Sequence, residues 1–146
     1  MTALSEARSA ARPLTAGRDD RAVRAVLVVF AVYLVGIALL ALISPHTFFD
    51  KVGPFGSANA HYTRDGATFE LALGTAAAVA VVRRSWRVPL LATIALQSLL
   101  HTINHLADIG NAHPKWLGPF DFGGLALGTV VLAWALARAH SQEAQA

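Results

Sequence analysis

Residues 25–43 read AVLVVFAVYLVGIALLALI, nineteen positions without a charge. A helix crossing the hydrocarbon of a bilayer needs about 20 such residues. The core of a cleavable signal peptide has only about 7–15, and no small-x-small cleavage site follows here. The run is therefore expected to be a retained transmembrane helix from about residue 21 to residue 43, closed by Ser44-Pro45.

Outward from this run, three more apolar blocks predict helices at about 58–82, 88–108 and 120–139. The whole 146-residue chain is 55% apolar and only 14% charged, against about 25% charged in soluble domains. The expected fold is all-α: an integral membrane four-helix bundle over residues 21–139. Residues 1–20, rich in Ala, Arg and Ser, are expected to be a disordered cytoplasmic tail. Residues 140–146 are expected to be a frayed polar tail.

Pro45, Gly53, Pro54 and Gly56 argue against regular helix between the first two spans. Gly110, Pro114, Gly118 and Pro119 mark the loop before the last one, and Asp121 is placed to cap its start. Leu71-Ala72-Leu73-Gly74-Thr75 recurs as Leu125-Ala126-Leu127-Gly128-Thr129, and Gly-Pro-Phe precedes both helices. The echo is open to two readings, chance in an Ala/Leu/Gly-rich chain or two related helical hairpins.

Charge placement orients the bundle. Arg8, Arg12, Arg18, Arg21 and Arg24 precede the first span; Arg83, Arg84 and Arg87 lie between the second and third; Arg138 ends the fourth. Lys51, Arg64 and Lys115 occupy the other side. Nine of the twelve Lys and Arg thus share one side, which the positive-inside rule makes cytoplasmic. Both termini are then cytoplasmic, in an inner (plasma) membrane. The sequence pI near 10 comes from these helix flanks and not from a basic stripe, so nucleic acid is rejected as a partner. The absence of cysteine excludes disulfides, thiolate metal sites and dithiol chemistry.

In this orientation five of the six histidines gather at the outer end. His101, His105 and Asp108 are spaced i, i+4, i+7 on one helix face; Asn104 lies beside them and Gln97 a turn back. His61 and Asp65 repeat the i, i+4 relation at the start of the second span, with Arg64 between them. If the second and third spans are antiparallel neighbours, the two sets meet. Two imidazoles one turn apart can bind one ion, and with carboxylates they suit a divalent metal; haem is less favoured. The pattern lacks the Glu general base of HExxH. The plainer reading is a polar cap hydrogen-bonded to water among the headgroups. Asp108, near a helix C-terminus where an anion is disfavoured, is expected to pair with Arg64 or a histidine.

Glu70 lies inside the apolar part of the second span. Gly66, Glu70, Gly74 and Ala78 form one i, i+4 stripe, whose small residues let another helix approach, so Glu70 should face protein. A hydrogen bond to Gln97 or Thr93 is its structural role; an ionisable group at this depth also reads as a functional site. Gly124 and Gly128 form a GxxxG pair suited to packing.

Four short helices, with Thr63-Arg64-Asp65-Gly66 leading into Glu70-Leu71-Ala72-Leu73-Gly74, resemble the DoxX-like group of small membrane proteins over about residues 22–139. The resemblance implies a four-helix membrane bundle. Some relatives are linked to thiol or quinone redox work, and without cysteine this chain cannot carry the thiol version. The histidine-rich end of the third span does not come from that resemblance.

These readings converge on a membrane protein that binds a metal or a small apolar or quinone-like ligand at its outer end, in one version as an oxidoreductase. An accessory or structural subunit without its own chemistry is the alternative, and a proton-coupled carrier the third. Besides lipid, a second copy or a larger membrane complex is the expected partner.

Overall fold

The structure, a computed structural model, describes residues 14–144. Helix α1 runs Leu14–Ile43, α2 Pro45–Lys51, α3 Ala60–Val82, α4 Arg87–Ala107 and α5 Leu117–Glu143, with a 3₁₀ turn at Arg84–Trp86 before α4. Among the described residues there is no strand, only one isolated bridge between Phe55 and Ala112. Four helices, α1, α3, α4 and α5, are long and apolar enough to cross a membrane. The described residues form an all-helical fold, and these four helices are compatible with a multi-pass membrane protein.

Several boundaries differ from the sequence reading. Helix α1 begins at Leu14 and not near Arg21, so the end of the expected tail is helical; residues 1–13 and 145–146 lie outside the described residues. Residues 45–51, expected to be irregular, form α2 because Pro45 stands in its first turn. There proline's fixed φ suits a helix and its missing N–H costs nothing. The Ser44 hydroxyl adds a 2.7 Å hydrogen bond to that of Thr47. Helix α5 starts at Leu117, with Trp116 in the capping position and no side-chain cap. Asp121 is thus one turn inside the helix and caps nothing. Pro119 falls in the first turn, and Gly118 is buried where a Cβ would collide with the carbonyl oxygen of Ile109. The Gly-Pro pair read as a loop is therefore a close crossing at a helix start. At its other end α5 reaches Glu143, and Ser141 Oγ donates to Ala137 O at 2.9 Å.

The helices pair as α1 with α3 and α4 with α5. Helices α1 and α5 join the pairs, and α3 and α4, adjacent in sequence, meet more sparsely. Gly74 sets the first pair: a Cβ there would lie 2.9 Å from both the Val35 backbone N and its Cγ2. The buried stripe of α3 is Ala67, Gly74, Ala77 and Ala80. Gly66 and Ala78, expected on that stripe, are exposed; the i+3 steps carry the contact face around the helix. Gly128 packs on the Phe30 ring, 3.6 Å from the site of a Cβ, whereas a Cβ at Gly124 would meet no described residue within 4 Å. The equivalent glycines of the sequence echo, Gly74 and Gly128, both face α1. Helices α4 and α5 are joined by hydroxyls: Thr129 Oγ1 lies 2.8 Å from Ser98 Oγ and 3.0 Å from Thr102 Oγ1.

The apolar core is unequal along the bundle. Towards the arginine-rich end Val23, Leu27, Ala77, Leu91, Ile94, Leu132 and their neighbours form a cluster drawn from all four long helices. Towards the histidine-rich end the cluster is Ala38, Ala41 and Ala67, with Leu42, Phe48 and Leu71, from α1, α2 and α3 alone.

Ion pairs close the arginine-rich end. Arg87 is 5% exposed and donates to Asp20 Oδ1 at 2.6 Å, to Ala80 O at 3.2 Å and to Val81 O at 3.3 Å. One guanidinium thus satisfies two carbonyls at the C-terminus of α3 and an α1 carboxylate. Arg84 shares the same oxygen at 2.5 Å, and Arg138 reaches Asp19 at 3.4 Å. Sequence reading used these arginines only to orient the bundle; the signal missed was Asp19-Asp20, two acids just ahead of an apolar span.

Candidate functional site

Each long helix places a polar side chain in the half of the bundle where the apolar core is thin. Helix α3 supplies Glu70, α4 Gln97 and His105, α5 Asp121 and α1 Tyr33. Gln97 Nε2 donates to Glu70 Oε1 at 2.9 Å, which makes Gln97, of the two expected candidates, the partner; Thr93 bonds Pro89 O within its own helix instead. Glu70 Oε2 is buried and has no hydrogen-bond partner among the described residues. The same holds for His105 Nδ1 and Asp121 Oδ2. Asp121 lies within electrostatic range of His105, and Tyr33 within range of both Glu70 and Asp121.

Burying a polar atom without a hydrogen bond costs about 1–3 kcal/mol. Three such atoms, on three helices, leave hydrogen-bonding capacity that no described residue fills. Asp121 is one of them because α5 begins three residues before the expected start, which turns Asp121 from a cap into an interior residue.

The loop between α2 and α3 covers one side. The Phe55 ring meets the His105 ring edge-on, with centroids 4.9 Å apart. Phe55 is held by its bridge to Ala112 and by the bond from His113 N to Pro54 O at 3.4 Å. Gly56, at φ +65, makes the turn that follows. Phe55 thereby seats against His105.

Other residues singled out from sequence stand elsewhere. His61 and Asp65 pair with each other at 3.4 Å, both well exposed. Among the described residues no hydrogen bond, ion pair or ring contact joins them to His101 or His105. The expected meeting fails because α3 packs chiefly on α1 and α4 on α5. His101 is exposed, and its ring lies 4.7 Å from the His105 ring between centroids. Asn104 is exposed. Asp108 accepts from Asn111 Nδ2 at 2.8 Å, and not from Arg64 or a histidine. Arg64 donates to Leu42 O at 3.3 Å and ties the end of α1 to α3. Among the described residues no three His, Asp or Glu side chains converge as a metal ion requires, so the metal-centre reading of the histidine spacing finds no support.

Comparisons with family models, curated proteins and solved structures gave no match.

Proposed function

We propose that this chain is an integral membrane protein that binds a small amphiphile through the polar set of Tyr33, Glu70, Gln97, His105 and Asp121. The observation that carries the reading is the trio of buried, partnerless atoms, Glu70 Oε2, His105 Nδ1 and Asp121 Oδ2, on three different helices. Ionisable groups within spanning helices mark ligand or ion sites by default. Carboxylate oxygens accept hydrogen bonds, so the head of the ligand should donate them, through hydroxyl or amine groups. Its body should be apolar, because the flanking surfaces of the spans are apolar. A hydroquinone with an alkyl chain has this character; the matching quinone offers acceptors alone. With nine of twelve Lys and Arg on one side, the arginine-rich end faces the cytoplasm and the ligand enters from the outer half of an inner membrane.

Titration of the detergent-purified chain with decyl hydroquinone and decyl quinone tests the reading. The expected result is saturable binding, tighter for the hydroquinone and weakened by Glu70→Gln and by His105→Leu. Absence of saturable binding to both probes, or affinity unchanged in both variants, would refute it.

A further inference from the structure

A cleft of about 220 Å³ opens at the arginine-rich end, lined by Arg84, Ser85, Arg87, Ala139, Gln142 and Glu143. It lies at the opposite end of the bundle from the histidine set and shares no residue with it. It also sits where two candidate spans terminate, one beginning at Arg84 and the other ending at Glu143. In a bilayer this is the level of the lipid headgroups.

The lining has separated charges. Arg87 is buried and its guanidinium is consumed by Asp20, Ala80 O and Val81 O. Arg84 is different: its side chain is 69% exposed and it spends one NH2 contact on the Asp20 oxygen it shares with Arg87. Two guanidinium groups thus face one carboxylate, leaving positive charge on the Arg84 side. Glu143, at the last turn of α5, also lines the cleft and has no ion-pair partner among the described residues. The Gln142 Nε2 donor is buried without a hydrogen-bond partner among them. Donor groups of Arg84 and Gln142 and the acceptor carboxylate of Glu143 thus line one cleft.

From this charge pattern we infer that the cleft is a binding site for a zwitterionic phospholipid headgroup whose ammonium carries N–H bonds, as in phosphatidylethanolamine. The phosphate takes the free N–H groups of Arg84 and the Gln142 amide, in charge-assisted hydrogen bonds. The ammonium donates to the Glu143 carboxylate. A purely anionic head leaves Glu143 facing negative charge or nothing. A trimethylammonium head reaches Glu143 but has no hydrogen to donate. The acyl chains run down the apolar flank beside Ala139.

Native mass spectrometry of the full chain in detergent, titrated separately with phosphatidylethanolamine, phosphatidylcholine and phosphatidylglycerol, tests the inference. Phosphatidylethanolamine should be retained about tenfold more tightly than either competitor, and Glu143→Gln should remove that preference. Gln142→Leu should weaken phosphatidylethanolamine and phosphatidylcholine alike, since it touches the phosphate side. If Gln142→Leu does not fold, Glu143→Gln decides alone, because an exposed carboxylate at a helix end carries no packing. Equal retention of the three lipids, tightest retention of phosphatidylglycerol, or an undiminished preference in Glu143→Gln would overturn the proposal. Soluble phosphoethanolamine should not displace the lipid at matched concentration; displacement would identify a free phosphoamine as the occupant and overturn the lipid assignment.

Discussion

Arg87 Nη1 stands 2.6 Å from Asp20 Oδ1 with the arginine side chain almost fully enclosed. The contact joins the start of α4 to the first turns of α1, while the same guanidinium closes the end of α3. Removing Arg87 leaves Asp20 with the exposed Arg84 alone and strands the Ala80 and Val81 carbonyls, at a cost of about 3 kcal/mol, the low end for breaking a buried pair. Arg87→Leu should therefore lower thermal stability in detergent sharply. Arg87→Lys should recover only part, because an ammonium lacks the planar fork that reaches Asp20 and two carbonyls together. Arg84→Ala, at an exposed position, should cost under about 1 kcal/mol. A melting series of the three variants checks the order.

Two glycines eight residues apart on α3, Gly74 and Gly66, should respond oppositely to alanine. At Gly74 the new methyl meets Val35 backbone at 2.9 Å, and at Gly66 it meets open space. Overpacking costs about 1–3 kcal/mol, so Gly74→Ala should destabilise by that order. Gly66→Ala should gain about 0.5–1 kcal/mol from helix propensity. Equal melting temperatures for both variants would contradict the α1–α3 contact described.

Glu70 and Gln97 should behave as a coupled pair. Gln97→Leu strips Glu70 of its one hydrogen bond and should cost about 1–3 kcal/mol. Glu70→Gln keeps a neutral partner and should be milder, and Glu70→Leu harsher than Glu70→Gln. The Glu70→Leu/Gln97→Leu double variant should be less destabilised than the two single changes added, with a coupling of about 0.5–3 kcal/mol. Additivity in that cycle would show that the 2.9 Å contact contributes nothing.

Phe55→Ala should remove the edge-on contact with His105, worth about 0.5–1.5 kcal/mol, and uncover one side of the polar set. Release of bound decyl hydroquinone should accelerate while its head contacts persist. A release rate identical to wild type would mean that Phe55 does not cover the site.

Topology is testable without background, since the chain has no cysteine. Cysteines introduced at Ser57 or Asn111 should react with an impermeant thiol reagent in intact cells, and one at Ser85 should not. The reverse pattern would put the histidine-rich end in the cytoplasm.

The spans were legible because an uncharged run as long as residues 25–43 has few other physical readings. Glu70 and Gln97 were legible because a carboxylate inside such a run must find a partner. Which helices pair was not legible. The short turn at 83–86 suggested α3 beside α4, but the pairing is set by Gly74 on Val35 and by hydroxyls across α4 and α5, contacts with no periodic signature. His101 and His105 illustrate the same gap. Their spacing fixes a common helix face, and only the folding of the loop that carries Phe55 decides that His105 is half-buried while His101 remains exposed. Asp121 was misplaced because a Gly-Pro pair marks a loop end and a first helical turn equally well.

The difference between the two apolar clusters gives the molecule the mechanics of a clothes-peg. Its spring is the arginine-rich end, where four helices share one core and ion pairs lock α1 to α4 and α5. Its jaws are the other end, where α1 and α3 keep a small core of their own and α4 and α5 are held by hydroxyls and a loop. Regions with few buried apolar contacts open at lower free energy than the rest. Amide hydrogens of α4 around Thr102 should therefore exchange sooner than those around Leu91, and spreading at the jaws would admit a bulky guest without disturbing the spring.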